Sequence, residues 1–420
     1  MQYKRTEIAD GIGFSSVIDE KFKTCSLTVR FITKLDKATA AANSLAISQL
    51  SAVNSRYGTI AAMNEKLSSL YGASLSSSVS KRGDVQLLAV GASWITDKYT
   101  IGGENISREM LEILRDCIFS PRIENGEFDA ETFAITKKDL LDRIEAEINN
   151  KRGYAIAKAS EIAYKGEPAA NSCYGTDETA SPVTSAQAFE AYRKLLETAC
   201  AEIYFVAPED DKSVAEMFAE SFGALDRKPQ PVTYRTPSPA KSEPETASEE
   251  YNVRQAKMVM TFKTSSEDKE ALKMMSLIFG ETPVSKLFMN VREKLSLCYY
   301  CACRTYFPKG ALMVDSGVER DNIDKAREEI LRQLDDMKNG SFTDSDIEAA
   351  VLAVTNGLTA IGDTPSSYAG WYFECFCNDE LITPQQQAER YRAVTRDRII
   401  EAAKSLSLDS IYLMLNKEAE

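Results

Sequence analysis

Histidine is absent from the 420-residue chain. Neutral imidazole is the commonest zinc ligand and the usual general base near neutral pH. Any mechanism that needs one, the Ser-His-Asp triad and the Cys-His dyad included, is therefore excluded for this chain alone. No window approaches the roughly eighteen continuous apolar residues of a membrane span, and the N-terminal MQYKRTEIADGIGF has no basic segment followed by a long apolar one. A cytoplasmic protein without a membrane partner is expected. No Lys/Arg-rich run stands out, and 63 acidic against 50 basic side chains leave a net charge of −13, so nucleic acid is not an expected partner. Glycine-rich phosphate loops are missing as well: GIGF at Gly11 and IGGEN at Gly102 fit no nucleotide pattern.

What is present is the composition of an ordinary globular protein, 44% hydrophobic and 27% charged. At this length a single core usually stops growing, so two domains of about 200 residues are expected. The nine cysteines are odd in number, and several sit inside apolar patterns (Cys117 in LRDCIF, Cys200 in ETACAEIYFV), which suits reduced, buried thiols. Cys298, Cys301 and Cys303, with Cys375 and Cys377, have spacings that suggest a thiolate metal site or a redox pair. On a regular strand, however, Cys298 and Cys301 project to opposite faces, which favours buried thiols.

The chain repeats itself. MNEKLSSLYG (Met63 to Gly72) returns as VREKLSLCYY (Val291 to Tyr300), with Asn64 where the second copy has Arg292. Around each copy the same elements follow in order: a strand (LTVRFIT from Leu27, KMVMTFK from Lys257), a helical stretch, EKLS, two strands, and two amphipathic helices. Each half closes on a Thr-started helix that feeds a strand, from Val183 and from Val394. Between them, residues 227–250 are rich in Pro, Ser, Thr and Glu and read as an exposed linker. The expected organisation is a domain at 1–226, a linker at 227–250 and a second domain at 251–420. The expected fold class is α+β: two tandem homologous domains, each a mainly antiparallel sheet with helices on one face, arranged as a clamshell.

Phe279-Gly280, then Ser285-Lys286-Leu287-Phe288, then VREKLSLCYY resembles the C-terminal signature of the insulinase/pitrilysin-type peptidases, the inverted zincins, and in particular their inactive bacterial branch. The similarity spans essentially the whole chain. It implies a first half that carries H-x-x-E-H for zinc and a water-activating Glu, and a second half whose Arg and Tyr reach the substrate carbonyl. Carried over residue by residue, the two His positions fall on Ile47 and Ser51 and the Glu position on Leu50. The later zinc-ligand Glu falls on Arg143, or on Glu145 if the register slips. In the second half Arg292 and Tyr299 keep the family types, with Ser296 in place of Gly and Cys298 in place of Ala. Tyr300 adjoins Tyr299, and only one of the two rings can face a substrate.

The resemblance therefore implies a chain that binds no metal of its own. It is expected to act as the Arg/Tyr-bearing, non-catalytic subunit of a zinc-dependent peptidase, binding peptide while a homologous zinc-bearing partner, or a self-dimer, completes the assembly. The alternative is a peptide- or protein-binding scaffold with no hydrolytic role. A thiol-based metal or redox protein is a third reading. Against the site roles, Arg292 could simply pair with a carboxylate at a helix end, and Tyr299 could be core.

Overall fold

Strand β3 (Thr24–Lys34) shows how sequence pattern becomes sheet: Cys25, Leu27, Val29 and Phe31 point into the first core, while Ser26, Thr28 and Arg30 alternate on the other face. The computed structural model describes residues 1–417. Its first sheet has the order β1 (Gln2–Ala9), β2 (Ile12–Ile18), β8 (Cys200–Ala207), β3, β5 (Val85–Ile95), β4 (Ser74–Arg82). A short ribbon pairs β6 (Ile123–Glu124) with β7 (Glu127–Phe128). The second sheet runs β11 (Cys298–Tyr306), β12 (Ala311–Val318), β10 (Ala256–Thr264), β13 (Leu406–Asn416), β9 (Glu245–Tyr251).

Removing β1 leaves the same order twice, β4-β5-β3-β8-β2 and β11-β12-β10-β13-β9, and in each sheet only the last pair is parallel. The internal repeat is thus a repeat of topology, and the α+β class holds. Strand β9 begins inside the stretch that reads as linker. It is an edge strand with only half-buried or exposed side chains, held by backbone pairing to β13, so its sequence carries no apolar alternation to betray it.

Five helices of the first half matter for the site: α1 (Ala40–Leu50), α2 (Ile60–Ser69), α3 (Ile106–Phe119), α4 (Ala130–Ala146) and α5 (Lys151–Ala163). In α3, Ile106, Met110, Ile113, Leu114 and Cys117 form one fully buried stripe on the first sheet. The chain divides into two compact units, and neither is contiguous. One comprises 1–145, 171–234 and 361–381; the other comprises 146–170, 235–360 and the residues from 382 onward.

Each unit thereby takes a helix from the opposite half of the chain. Helix α5 lays Ala155 and Ala159 against Val259, Tyr412 and Met414, on the face of the second sheet away from its main core. In the first unit the helix Pro365–Cys377 stacks Tyr372 on Tyr3 at 3.8 Å and sets Phe373 under the Arg30 guanidinium at 4.0 Å. Both faces of each sheet are covered, not one. The contiguous boundaries 1–226 and 251–420 do not show this, because an amphipathic helix records which of its faces is apolar and not which sheet it will reach. Among the described residues no helix is long and apolar enough to cross a membrane.

Candidate functional site

In the first unit α1, α2, β4, α4 and Tyr174 enclose a cavity of about 320 Å3. The face that α1 turns to it carries Ser44, Ser48 and Ser51, at steps of four and three residues. Their hydroxyls are taken up locally. Ser44 donates to the Ala40 carbonyl at 2.8 Å and Ser48 to the Ser44 carbonyl at 3.0 Å; Ser51 reaches Ser77 Oγ across the cavity wall at 3.0 Å. From α4 the cavity receives Thr136, Asp139 and Arg143, whose guanidinium lies 5.1 Å from the centre of the Tyr174 ring. Tyr174 is itself fixed by donating to the Val79 carbonyl at 2.9 Å.

Ile47 and Leu50 are each 1% exposed and belong to the apolar core beneath α1, so of the residues matched to the zinc motif only Ser51 and Arg143 reach the cavity. The four-residue pair that does face it is Ser44 and Ser48, and the sign of this in the sequence is a hydroxyl stripe on an otherwise apolar helix. Zinc needs thiolate, imidazole or carboxylate donors. The cavity offers serines, a threonine, an asparagine, a tyrosine, one aspartate and a cation, and among the described residues no group of three or more His, Cys, Asp or Glu side chains is placed to hold a metal ion. The residues present do not fit a zinc ion.

The second unit is different. Residues Leu287–Lys294 form a wide, π-type helix that ends at Ser296, held at φ +51°, two residues before β11 begins. Such widened turns recur where a side chain must be aimed. Arg292 stacks its guanidinium over Phe288 at 4.6 Å and lies 3.5 Å from the adjacent Glu293, leaving its side chain 41% exposed. In β11 the pairing passes from Cys298 opposite Val318 to Tyr300 opposite Gly317, so Tyr299 is the extra residue of a β-bulge. It is 72% exposed.

Tyr300 is instead packed, with Arg152 of α5 over its ring at 4.5 Å and Lys257 at 5.5 Å; Arg152 is anchored on Asp315. Burial raises the Tyr300 phenol above its ordinary value. Of the two rings, Tyr299 is therefore the exposed one. The bulge also overturns the expectation for the thiols: with one residue inserted, Cys298, Cys301 and Cys303 all enter the same core. Cys375 and Cys377 belong to the first unit and complete no thiolate cluster among the described residues.

The repeated EKLS is one helical turn out of structural register. Gly72 (φ +73°) stands two residues before β4 as Ser296 stands two before β11. Counting back from these left-handed residues, buried Met63 and Leu67 match buried Leu287 and Val291, whereas matching the tetrapeptides would set buried Leu67 against Leu295, which is 46% exposed. Arg292 accordingly occupies the place of Ser68, not of Asn64. The halves differ in hairpin length too, with Arg82 facing Val85 in one and Tyr306 facing Ala311 in the other.

These features define a duplicated α+β fold whose first-unit cavity brings no zinc-ligating set together among the described residues. Residues 182–354 match the family described as Peptidase M16 inactive domain. Over 412 residues the chain is 27% identical to the probable inactive metalloprotease YmfF of Bacillus subtilis (strain 168), covering 97% of this chain and 96% of that protein. Among solved structures it matches a conserved protein from Enterococcus faecalis V583 with a TM-score of 0.93 at 25% identity, each chain covered completely. A peptidase M16 inactive domain from Pseudomonas fluorescens follows with a TM-score of 0.81 at 16% identity, again over the whole of both chains. A protease from Helicobacter pylori shares the fold, with a TM-score of 0.78 at 12% identity over 98% of this chain and 99% of that one. Over residues 182–354 the chain is thus similar to the peptidase M16 inactive domain, and over nearly its whole length to a probable inactive metalloprotease.

Proposed function

We propose that this chain is the non-catalytic, Arg/Tyr-bearing subunit of a cytoplasmic heteromeric peptidase, binding peptide while a homologous partner with an intact H-x-x-E-H supplies zinc and the activated water. The observation that carries this reading is the presentation of Tyr299, lifted out of its strand by a bulge and 72% exposed, one short turn from a half-exposed Arg292. A guanidinium and a phenol are both hydrogen-bond donors, and donors aimed at a carbonyl strengthen their hold as negative charge develops on its oxygen. Strands β4 and β11 each end a sheet, so an extended peptide has a free backbone edge to pair with, and such pairing gives affinity with little sequence preference.

Co-purifying the chain with a zinc-bearing homologue from the same genome is expected to give a stable complex with peptidase activity. A mixture that neither associates nor hydrolyses peptide sinks the proposal. Peptide binding without hydrolysis in any complex, and without dependence on Arg292, would instead favour a scaffold.

A further inference from the structure

The extra residue at Tyr299 turns Cys298 and Cys301 toward the same, core side of β11. Cys298 lies opposite Val318 and Cys301 opposite Ser316, partners two residues apart on a regular strand. The register therefore returns both side chains to one face, and both enter the same core. The two thiols lie close enough to act on one another, with Ser316 beside both. They differ in character. The neighbouring Cys301 thiol, helped by the nearby Arg292 guanidinium, holds Cys298 below the ordinary thiol value, whereas Cys298 and burial push Cys301 well above it.

Cys298 is 8% exposed and Cys301 4%. Access comes from position: β11 ends its sheet, and Cys298 follows closely on the exposed turn around Leu295, where the helix ends in long-reach hydrogen bonds. Opening that turn uncovers Cys298 without breaking the sheet.

We infer that Cys298 and Cys301 are a redox modification site, joined into an intrachain disulfide by hydrogen peroxide. The Cys298 thiolate attacks one peroxide oxygen, the O–O bond breaks, and a sulfenic acid and hydroxide result. The Cys301 sulfur then displaces the sulfenic oxygen, which leaves as water with the Cys301 proton, while the first hydroxide takes up the proton that Cys298 had released. Two thiols are oxidised and one peroxide is reduced to two waters. The bond spans the bulge and clamps it, because without the inserted residue the two sulfurs face opposite ways. Bond formation is independent of the proposed peptidase role; its effect on peptide binding, through Tyr299, rests on that reading.

The test treats the purified full chain with a small excess of hydrogen peroxide, alkylates the remaining thiols and digests with trypsin. The fragment from Leu295 to Arg304 carries Cys298, Cys301 and Cys303. The expected result is loss of two hydrogen atoms located by fragmentation between Cys298 and Cys301, reversed by dithiothreitol, with Cys303 still alkylated and the bond retained in Cys303→Ser. Hydrogen exchange over residues 296–303 should slow in the oxidised chain. Alkylation of both Cys298 and Cys301 after peroxide, a bond that uses Cys303, or oxidation seen only in denaturant overturns the inference. A formed bond with unchanged peptide affinity upholds it and counts against the Arg/Tyr role instead.

Discussion

The two units carry the same strand order and spend it differently. In the first, the cavity between α1 and α4 is lined by hydroxyls that bond to their own helix or to a neighbouring strand, so the wall is sterically intact and chemically quiet. In the second, the junction before β11 departs from regular geometry three times, with a widened helix, a left-handed serine and a bulge, and each departure bears on how Arg292 and Tyr299 are presented. Irregular backbone costs stability and persists where the surrounding structure holds it. The left-handed residue recurs in the first copy at Gly72, whereas the widened helix and the bulge belong to the second.

The same contrast recurs beneath the exchanged helices. In the first unit Glu202, 3% exposed, is met by Arg5 at 2.6 Å. In the second, Lys263 is 2% exposed, and its ammonium rests between Ser238 Oγ at 2.6 Å and the face of Tyr164, with no carboxylate of the described residues bonded to it.

The sharpest way to break the comparison is kinetic. In an active mixture with a zinc-bearing homologue, Arg292→Ala and Tyr299→Phe should each lower kcat about 100-fold, the scale of losing one oxyanion donor. A chelator should abolish that activity, yet leave peptide binding by this chain alone, measured by fluorescence anisotropy, unchanged. Metal-dependent binding by the isolated chain would erase the distinction between the two walls.

Next comes the buried lysine. Desolvation pulls Lys263 down to about 8 from its ordinary value near 10.5. Below pH 8 the folded and unfolded chains both hold the proton, and the cost of burying the charge is fully present. Between pH 8 and 10.5 the unfolded chain binds more protons than the folded one, so stability rises with pH. Relative to Lys263→Met, the wild type should gain about 3 kcal/mol across that window in urea titrations. A flat difference would mean that the ammonium is better satisfied than its surroundings indicate.

The smallest expected effect tests the structural register of the repeat. Ser296→Gly should stabilise the chain by about 1 kcal/mol, since a left-handed backbone disfavours a side chain, and Gly72→Ser should cost about as much. A Cβ at Gly72 would meet no atom within 4 Å, so its cost is conformational alone. Thermal melting of the two variants checks both signs. If the effects are not opposite, the two positions are not equivalent.

The strands and the order of elements were legible because each is encoded locally, by alternation in β3 and by three- and four-residue steps in α3. The residue types at Arg292 and Tyr299 were also legible, whereas the widened helix and the bulge that carry them were not. Nor was the register of α1: Ile47 and Leu50 matched a motif, but only packing decides that the face with Ser44 and Ser48 looks into the cavity. Strand β9 hid in a Pro- and Glu-rich stretch because an edge strand is held by backbone pairing rather than by apolar side chains.

By itself the sequence determined that this chain builds no imidazole-ligated zinc site, because the necessary donor type is absent, and that its architecture is duplicated, because the order of local patterns repeats. The tertiary structure decided the rest. Whether Tyr299 or Tyr300 is exposed, whether Cys298 and Cys301 share a face, and which sheet receives α5 all depend on pairing and docking between distant segments. A single inserted residue in β11 reverses the facing of Tyr299 relative to a regular strand and brings the two thiols together, and nothing in the local pattern of VREKLSLCYYCAC records where that residue falls.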